Sequence, residues 1–237
     1  MNNYIILNGV NSNTIQGLLI QSLPPITKPL IRTSVEEIDG RDGDIVTKLG
    51  FSAYDKEISI GLHGNYDVDE VISFFNSEGT VTFSNEPNKY YNYQILNQID
   101  FEKLIRFKTA TVVLHVQPFK YSLTDTERTF EITSQTSIDI TNNGNYISKP
   151  TMTIYGTGTI NLYVNASQVF IIALGNDEEY ITIDAELMEA FKDTTTVLKN
   201  RLVTGDYENF VLNVGENTIS WTGSVTQIVI SNYTRWL

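Results

Sequence analysis

Short segments of alternating apolar and polar residues recur from one end of the chain to the other. In Glu57–Leu62 the apolar side chains fall on even positions, and in Thr80–Phe83 they fall on odd positions. Because successive side chains of a strand point to opposite faces, such segments predict strands with one buried face. Val, Ile, Thr, Tyr and Phe dominate them, and Gly, Asn and Asp separate them, so the pattern predicts a mainly β protein.

One helix is predicted within this β pattern, at residues 67–75. Asp67 and Glu70 supply a capping box at its start. Its apolar residues follow the i, i+3, i+4, i+7 spacing of a helix that buries one face, and strands lie on either side, so we expect this stripe to pack on a sheet. The stripe consists of Val68, Val71, Ile72 and Phe75.

The segment 184–192 is ambiguous. Leu187, Met188 and Phe191 have helical spacing, but the segment also continues a strand predicted at residues 180–183. Helix and strand both stay open for these residues.

The chain has 237 residues, enough for one large β domain or two domains of ordinary size. Residues 121–128 follow Pro118 and Phe119, are polar and lack periodicity, as is typical of a linker. We therefore predict two domains, residues 1–122 with the helix and residues 123–237. Turn residues in the second recur every roughly 8 to 12 positions, the spacing of a β-sandwich.

The chain is acidic, with a formal net charge of -12 and only 16 Lys and Arg residues. Nucleic-acid binding requires cations that neutralise phosphates, so this balance argues against a nucleic-acid-binding surface. If the chain lined a channel, negative potential on the lumen would keep DNA from adhering to the wall. Hydrophobic residues make up 41% of the chain, which is enough for a globular core.

The first residues include only a short apolar run and no basic region, so we do not expect a signal peptide. No apolar segment approaches the roughly 20 residues that a membrane-spanning helix needs. We expect synthesis in the cytoplasm and no membrane insertion.

Carboxylates crowd together at residues 36–44, which raises a calcium hypothesis for Asp39, Asp42 and Asp44. Their spacing does not match an EF-hand loop, and no Glu follows at the required distance. Asp-Gly occurs twice here between two predicted strands, and Gly tolerates the positive φ of a tight turn. We therefore interpret the segment as a hairpin with Arg41 and Asp42 at its tip, and we expect no metal site.

Catalytic chemistry has few candidates in this chain. Cysteine is absent, which excludes disulfides and thiolate ligands, and the only histidines are His63 and His115. His115 lies in a predicted strand, where a structural histidine is the better interpretation. No nucleophile elbow or zinc-protease motif occurs, and Gly156 and Gly158 lie between strands, where a turn explains them. A glycosidase with paired carboxylates is a rival that sequence cannot place, so we predict no catalytic residue and no cofactor.

Aromatic residues form 11% of the chain. Tyr91 and Tyr93 fall on one face of a predicted strand and Tyr90 on the other, so at least one ring should be exposed. Exposed rings serve as anchors in protein interfaces and also stack on sugars. We favour protein contact over sugar stacking for Tyr91 and Tyr93. As an alternative function, the second domain would bind a cell-wall saccharide.

The order of several motifs resembles the distal tail protein family of siphophages that infect Gram-positive bacteria. In the first half a strand, the turn at residues 40–43 and a returning strand carry the resemblance, and it extends over nearly the whole chain. The matching segments are 32–44, 49–51, 58–62, 142–145, 148–150, 154–156, 205–207, 214–220 and 235–237.

This resemblance implies a barrel-like or split-barrel N-terminal domain and a galectin-like C-terminal sandwich. It implies a homo-hexameric ring at the tip of the virion tail, with a channel that DNA passes without specific binding. One face of the ring would meet the tail tube protein and the other the tail-tip protein. Some members carry an inserted arm that holds receptor-binding proteins, and this chain has no room for one. By prominence and polarity, the hairpin with Arg41 and the strand at residues 89–98 are our candidates for contact between subunits.

Overall fold

A computed structural model of the chain describes residues 3–75, 77–96, 98–125, 127–175 and 178–237. The chain forms two compact units, one that ends at Lys120 and a second from Tyr121 to Trp236. The change of unit falls at the start of the polar segment 121–128. Each unit has a hydrophobic core of its own.

The first unit is built on a curled, half-barrel sheet with strand order β2-β1-β7-β8-β9-β6-β3. Strands β4 and β5 pair only with each other and form a separate two-stranded sheet. The strands are β1 Ile5–Leu7, β2 Val10–Asn11, β3 Leu18–Ser22, β4 Ile31–Glu37, β5 Asp44–Phe51, β6 Tyr54–Leu62, β7 Glu78–Phe83, β8 Lys89–Gln94 and β9 Thr109–Ser122.

The core of the first unit follows from the alternation of apolar residues along these strands. On β6, Ile58 and Ile60 are fully buried, and across the pair with β9 Ile58 lies opposite Val112. Leu114 of β9 is also fully buried. The even-numbered apolar positions of β6 therefore face the core, as the sequence pattern predicts.

Helix α1, Val68–Phe74, forms within the predicted segment 67–75. The Asp67 side chain caps it by accepting hydrogen bonds from the backbone N–H groups of Asp69 and Glu70. The predicted buried stripe is wrong in one respect. Phe74 is buried, whereas Ile72 is 42% exposed, because the helix is only two turns long and lies on the core through Val71 and its last residues.

A second helix, α2 Phe101–Phe107, is present where the sequence pattern predicted none. Asp100 caps its start, and Lys108, with φ of 60°, ends it in the left-handed conformation. Only Leu104 of this helix is buried. The expectation of a single helix is therefore wrong. Helix α2 was not predicted because one buried apolar residue does not produce a helical pattern that differs from the neighbouring strand patterns.

The second unit is a nine-stranded sheet that folds over on itself. The first half of its long strand β12 pairs with β14 and the second half with β13. Its partner β18 pairs with β11 by its first half and with β10 by its last residues. The nine strands of this sheet are β10 Arg128–Glu131, β11 Ser137–Asn142, β12 Thr151–Val164, β13 Ser167–Leu174, β14 Tyr180–Asp184, β15 Glu189–Lys192, β16 Thr194–Leu198, β17 Val203–Gly205 and β18 Gly215–Ser231. A last short strand, β19 Arg235–Trp236, lies outside it.

Two layers of a β-sandwich result from this fold-over. Ile154 from one half of β12 and Leu162 from the other belong to a single buried cluster, together with Phe170 of β13 and Ile228 of β18. With the half-barrel sheet of the first unit, this confirms the mainly β class and the barrel-plus-sandwich architecture predicted from the sequence.

Glycines form the corner where the two long strands bend. Register shifts interrupt the β12–β18 pairing after Tyr155, and Gly223 has φ of 100°. A Cβ atom on Gly156 would lie 2.2 Å from the carbonyl oxygen of Ser224, and one on Gly223 would lie 2.3 Å from that of Thr159. Two backbones therefore approach at the corner more closely than any side chain permits.

The open segment 184–192 forms a β-hairpin between β14 and β15. Asp184 accepts hydrogen bonds from the backbone N–H groups of Glu186 and Leu187, which closes the turn. Leu187 and Met188 are 53% and 42% exposed. Their helical spacing therefore did not reflect a buried helix face.

Candidate interaction surface

The hairpin of β4 and β5 is an exposed element with apolar side chains that none of the described residues covers. Val35, Val46 and Leu49 are each more than half exposed, and Leu30 at its base is 75% exposed. A lone two-stranded hairpin is marginally stable in water, and clustered exposed apolar residues mark an interaction surface. This hairpin is therefore the strongest candidate for a contact surface in the described chain.

The hairpin is an excursion from the edge of the half-barrel sheet. Strands β3 and β6 pair with each other, with Ser22 opposite Ser59, and the chain leaves the sheet after β3 and returns at Tyr54. At the base, the Ser52 N–H donates to the carbonyl oxygen of Leu30 at 2.9 Å. The Phe51 ring packs edge-on against Phe119, with 5.7 Å between ring centroids. The base is thus fixed while the rest is exposed.

The buried Lys56 side chain and the exposed Asn85 side chain hold the segment that leads into the hairpin. The Lys56 Nζ donates to the carbonyl oxygen of Pro25 at 3.0 Å, and the Asn85 side chain donates to that of Pro24 at 3.1 Å. The Lys56 ammonium also lies 5.0 Å from the centroid of the Tyr91 ring. Burial lowers the pKa of Lys56, although the nearby Glu86 carboxylate opposes that change.

A buried ion pair lies next to Lys56. Glu86 accepts hydrogen bonds from Lys120 Nζ at 2.9 Å and from the Tyr91 hydroxyl at 2.6 Å, and both charged side chains are less than 10% exposed. Burial by itself would raise the pKa of Glu86, but the two hydrogen bonds together with the charges of Lys120 and Lys89 outweigh it and hold the pKa below the ordinary value of 4.5. Burial also raises the pKa of Tyr91, which therefore stays a hydrogen-bond donor. The network joins strands β6, β8 and β9 beneath the base of the hairpin.

Arg41 and Asp42 lie at the tip of the hairpin, as the sequence predicts, and both are exposed. The Arg41 N–H donates to the carbonyl oxygen of Ile38, and Gly40 and Gly43 have φ of 80° and 77°. The two Asp-Gly steps therefore serve the turn. Among the described residues, no group of three or more His, Asp or Glu side chains is arranged to hold a metal ion.

One face of the hairpin combines apolar and acidic side chains. Val35 pairs with Val46 across the strands, and two positions nearer the tip Glu37 pairs with Asp44. Like charges directly opposite each other destabilise a strand pair, and neither carboxylate forms an ion pair within the described chain. The face is thus an apolar patch flanked by uncompensated negative charge.

The structure corrects the expectation for Tyr91 and Tyr93. They are 0% and 2% exposed, because their shared strand face points into the core, and neither offers a ring to a partner. Strand β8, which carries them, lies inside the sheet between β7 and β9. The segment 89–98 therefore has no free edge along β8 for pairing with another subunit. Residue 97 of that segment lies outside the described residues.

The histidine in strand β9 lies beside a carboxylate of the neighbouring strand. The His115 Nδ1 lies 2.7 Å from an Asp55 carboxylate oxygen, across the β6–β9 pair. His63 is exposed at the end of β6. His115 is therefore a structural histidine satisfied by a cross-strand neighbour.

A polar pocket of about 250 Å³ lies in the second unit and is a candidate for the saccharide site considered in the sequence analysis. Amide side chains prevail in its lining, and none of the lining residues has an aromatic ring on which a sugar could stack. Asn165 is already engaged with Asn217 and Thr218. The lining residues are Val164, Asn165, Ser167, Gln168, Asn209, Val211 and Asn213.

Comparison with known proteins rests on structure alone, since no protein-family model and no curated protein sequence matches this chain. The crystal structure of the SPP1 Dit protein (gp 19.1), described as a paradigm of the hub adsorption apparatus in phages infecting Gram-positive bacteria, aligns over 100% of both chains. The TM-score is 0.64 and the sequence identity is 15%. The chain has the Dit fold.

Two further alignments, to structures of the phage P2 baseplate in its activated conformation, cover 97% of each chain. The sequence identity is 9% and the TM-score 0.48 for the structure with Ca. For the structure with Sr the identity is 10% and the TM-score 0.49. The likeness to SPP1 Dit confirms the resemblance found in the sequence at the level of the fold. It extends over both units of this Dit-like chain. None of the described helices is long and apolar enough to cross a membrane.

Proposed function

We propose that this chain is a structural hub protein of a phage tail tip and not an enzyme. Six copies form a ring that joins the tail tube to the tail-tip protein and leaves a channel through which DNA passes without specific binding. The observation that carries this proposal is the exposed hairpin with its uncovered Val35, Val46 and Leu49 on a fold that matches SPP1 Dit from end to end.

A ring explains why such an element persists in a stable protein. Heterologous, head-to-tail contacts close into a ring when the rotation between neighbours closes, and they cover two different patches of every copy. The hairpin is one such patch, with Arg41 and Asp42 at its tip as contacts to the neighbouring subunit. The net charge of -12 suits passage of DNA where it faces the channel.

The direct test is the size and symmetry of the purified protein, by mass photometry and negative-stain microscopy. We expect a six-fold ring with a central opening, and a strict monomer at all concentrations contradicts the proposal. Arg41→Glu should reduce ring formation, with Arg201→Glu, at an exposed arginine of the second unit, as a matched reversal of charge. Rings of Arg41→Glu as abundant as those of the unchanged protein would show that the tip makes no subunit contact.

A further inference from the structure

Helix α2 presents a basic and apolar face that matches the acidic and apolar face of the hairpin. Lys103, Arg106 and Phe107 are exposed, and the spacing i, i+3, i+4 puts them on neighbouring positions of the helix surface. Phe107 is 62% exposed, and the Arg106 guanidinium lies 5.4 Å from the centroid of its ring. An exposed aromatic ring flanked by arginine is a typical anchor of a protein interface.

The charges on this helix are uncompensated within the described chain. Neither Lys103 nor Arg106 forms an ion pair there. Residues 100–108 carry the three cations Lys103, Arg106 and Lys108 and the two carboxylates Asp100 and Glu102, so the segment has a formal net charge of +1 in a chain whose total is -12. A surface with an excess of positive charge on an acidic protein favours an acidic partner surface.

The hairpin supplies such a surface. On one face, Val35 and Val46 form the apolar part and Glu37 and Asp44 the acidic part. Residues 36–44 contain five carboxylates and one arginine, so their formal charge is -5 + 1 = -4. The hairpin face thus has apolar residues beside negative charges, and the α2 face has an apolar residue beside positive charges.

We propose that the hairpin face Val35, Glu37, Asp44 and Val46 of one copy docks on the α2 face Lys103, Arg106 and Phe107 of the next copy. Phe107 packs on the valine pair, and the two cations separate the like charges of Glu37 and Asp44. The contact is heterologous, because it joins two different patches, and repetition around an axis produces a closed ring. This inference rests on the proposed ring and names the surface that receives the hairpin.

Complementary charge reversal in the full-length chain tests the contact. Glu37→Lys/Asp44→Lys makes the hairpin basic, and Lys103→Glu/Arg106→Glu makes α2 acidic. Each variant alone places like charges together, and we expect the ring fraction in mass photometry to fall by about tenfold or more. Circular dichroism and melting should show that both variants stay folded, since all four side chains are exposed.

An equimolar mixture of the two variants is the decisive measurement. The basic hairpin of the first variant can dock on the acidic α2 of the second. The acidic hairpin of the second variant can dock on the basic α2 of the first, as in the unchanged protein. The two variants can therefore alternate around a ring of six. We expect the mixture, and also a chain with all four substitutions, to recover the ring. Glu208→Lys/Glu216→Lys, at two exposed positions of the second unit, is the control for the change in net charge of the hairpin variant and should leave the ring intact.

The outcomes separate this inference from the proposed function. If the unchanged chain forms rings and Lys103→Glu/Arg106→Glu forms them equally well, α2 is not the acceptor, and only this inference is overturned. Loss of the ring in both variants without recovery in the mixture also overturns it, since the two faces would then contact something other than each other. A strictly monomeric unchanged protein overturns the ring and this contact together.

Discussion

At the scale of single residues, Glu86 connects burial, charge and pH in the first unit. Its carboxylate is held by Lys120 and Tyr91, and Lys56 with its bond to Pro25 lies close by. A buried ion pair is weak evidence for stability, but removal of one partner leaves the other charge uncompensated. The network therefore links the base of the hairpin to strands of the sheet. Removal of one charged partner should lower the free energy of unfolding, because the other charge stays buried without compensation.

Glu86→Gln should lower the free energy of unfolding by about 3 to 5 kcal/mol at neutral pH, because Lys120 keeps its charge without a partner. The pH dependence should change as well. The pKa of Glu86 in the folded state lies below 4.5, so its stabilising effect is present above about pH 4.5 and is lost as the pH falls through the folded pKa. The variant should lack this acid-induced loss.

Urea denaturation as a function of pH measures both effects. Glu57→Gln is a suitable control, because Glu57 is exposed on β6, the strand that also carries Lys56. Equal pH dependence of the unchanged protein and Glu86→Gln below pH 4.5 would contradict the role given to the buried pair.

Glycine at the corner of the sandwich gives a second test at this scale. Gly223 and Gly215 have similar φ, 100° and 93°, but only at Gly223 would a Cβ atom meet a backbone carbonyl. Gly215→Ala should cost about 1 to 2 kcal/mol for the backbone conformation, and Gly223→Ala about 3 kcal/mol or more because the two strands must also separate. Similar losses for both in chemical denaturation would refute the close-approach argument.

At the scale of elements, α1 shows that apolar residues at helical spacing are not all buried. Val71 is 1% exposed and Ile72 is 42% exposed, although both belong to the stripe predicted from spacing. A helix of two turns contacts the sheet along a line, and only the residues on that line are buried.

Val71→Ala should therefore cost about 2 kcal/mol in free energy of unfolding, through lost burial and a residual cavity. Ile72→Ala should cost well under about 1 kcal/mol, although it removes more atoms. Thermal or urea unfolding of the two variants decides the matter, and an equal or larger loss for Ile72→Ala would mean that the helix docks through the other side of its stripe.

The hairpin is the element where the sequence pattern was most informative about position and least informative about packing. Two Asp-Gly steps between alternating segments locate the turn at residues 38–43. Alternation in β4 and β5 suggests a buried face, yet both faces are exposed in the single chain. The pattern is consistent with a face that becomes buried only on assembly.

At the scale of the whole molecule, the valine pair of the hairpin separates folding from assembly. Val35 and Val46 are 54% and 61% exposed, so Val35→Ser/Val46→Ser should change the free energy of unfolding of a dissociated subunit by no more than about 1 kcal/mol. If the ring buries them, the same variant should dissociate at concentrations about tenfold higher or more, since each buried valine contributes about 1.5 kcal/mol.

Concentration-dependent mass photometry measures the dissociation, and denaturation at low concentration measures the folding. Val214→Ser is the matched control, because Val214 is 53% exposed in the second unit. Unchanged dissociation of the hairpin variant would place both valines outside every subunit contact.

Much of the architecture was predictable from the sequence because it depends on local rules. Period-two alternation located β6 and β7, Asp67 marked the start of α1, and the Asp-Gly steps located the hairpin turn. These signals are carried by neighbouring residues, so no tertiary information is needed to detect them.

Other features were decided by tertiary structure. The side of β8 that carries Tyr91 and Tyr93 became the core because β8 lies inside the sheet, and nothing in the alternation of four residues tells inside from outside. Helix α2 was missed because it buries only Leu104, and its basic face emerged as a surface only once its exposure was known.

The sequence by itself thus determined the β class, the hairpin turn, the start of α1 and the acidic charge, since propensity, turn chemistry and charge are properties of short segments. Tertiary structure alone decided which faces are buried, that Glu86 and Lys120, 34 residues apart, form a buried pair, and that the hairpin stays uncovered. Those outcomes depend on which strands become neighbours, and strand neighbours are set by contacts between residues far apart in the chain.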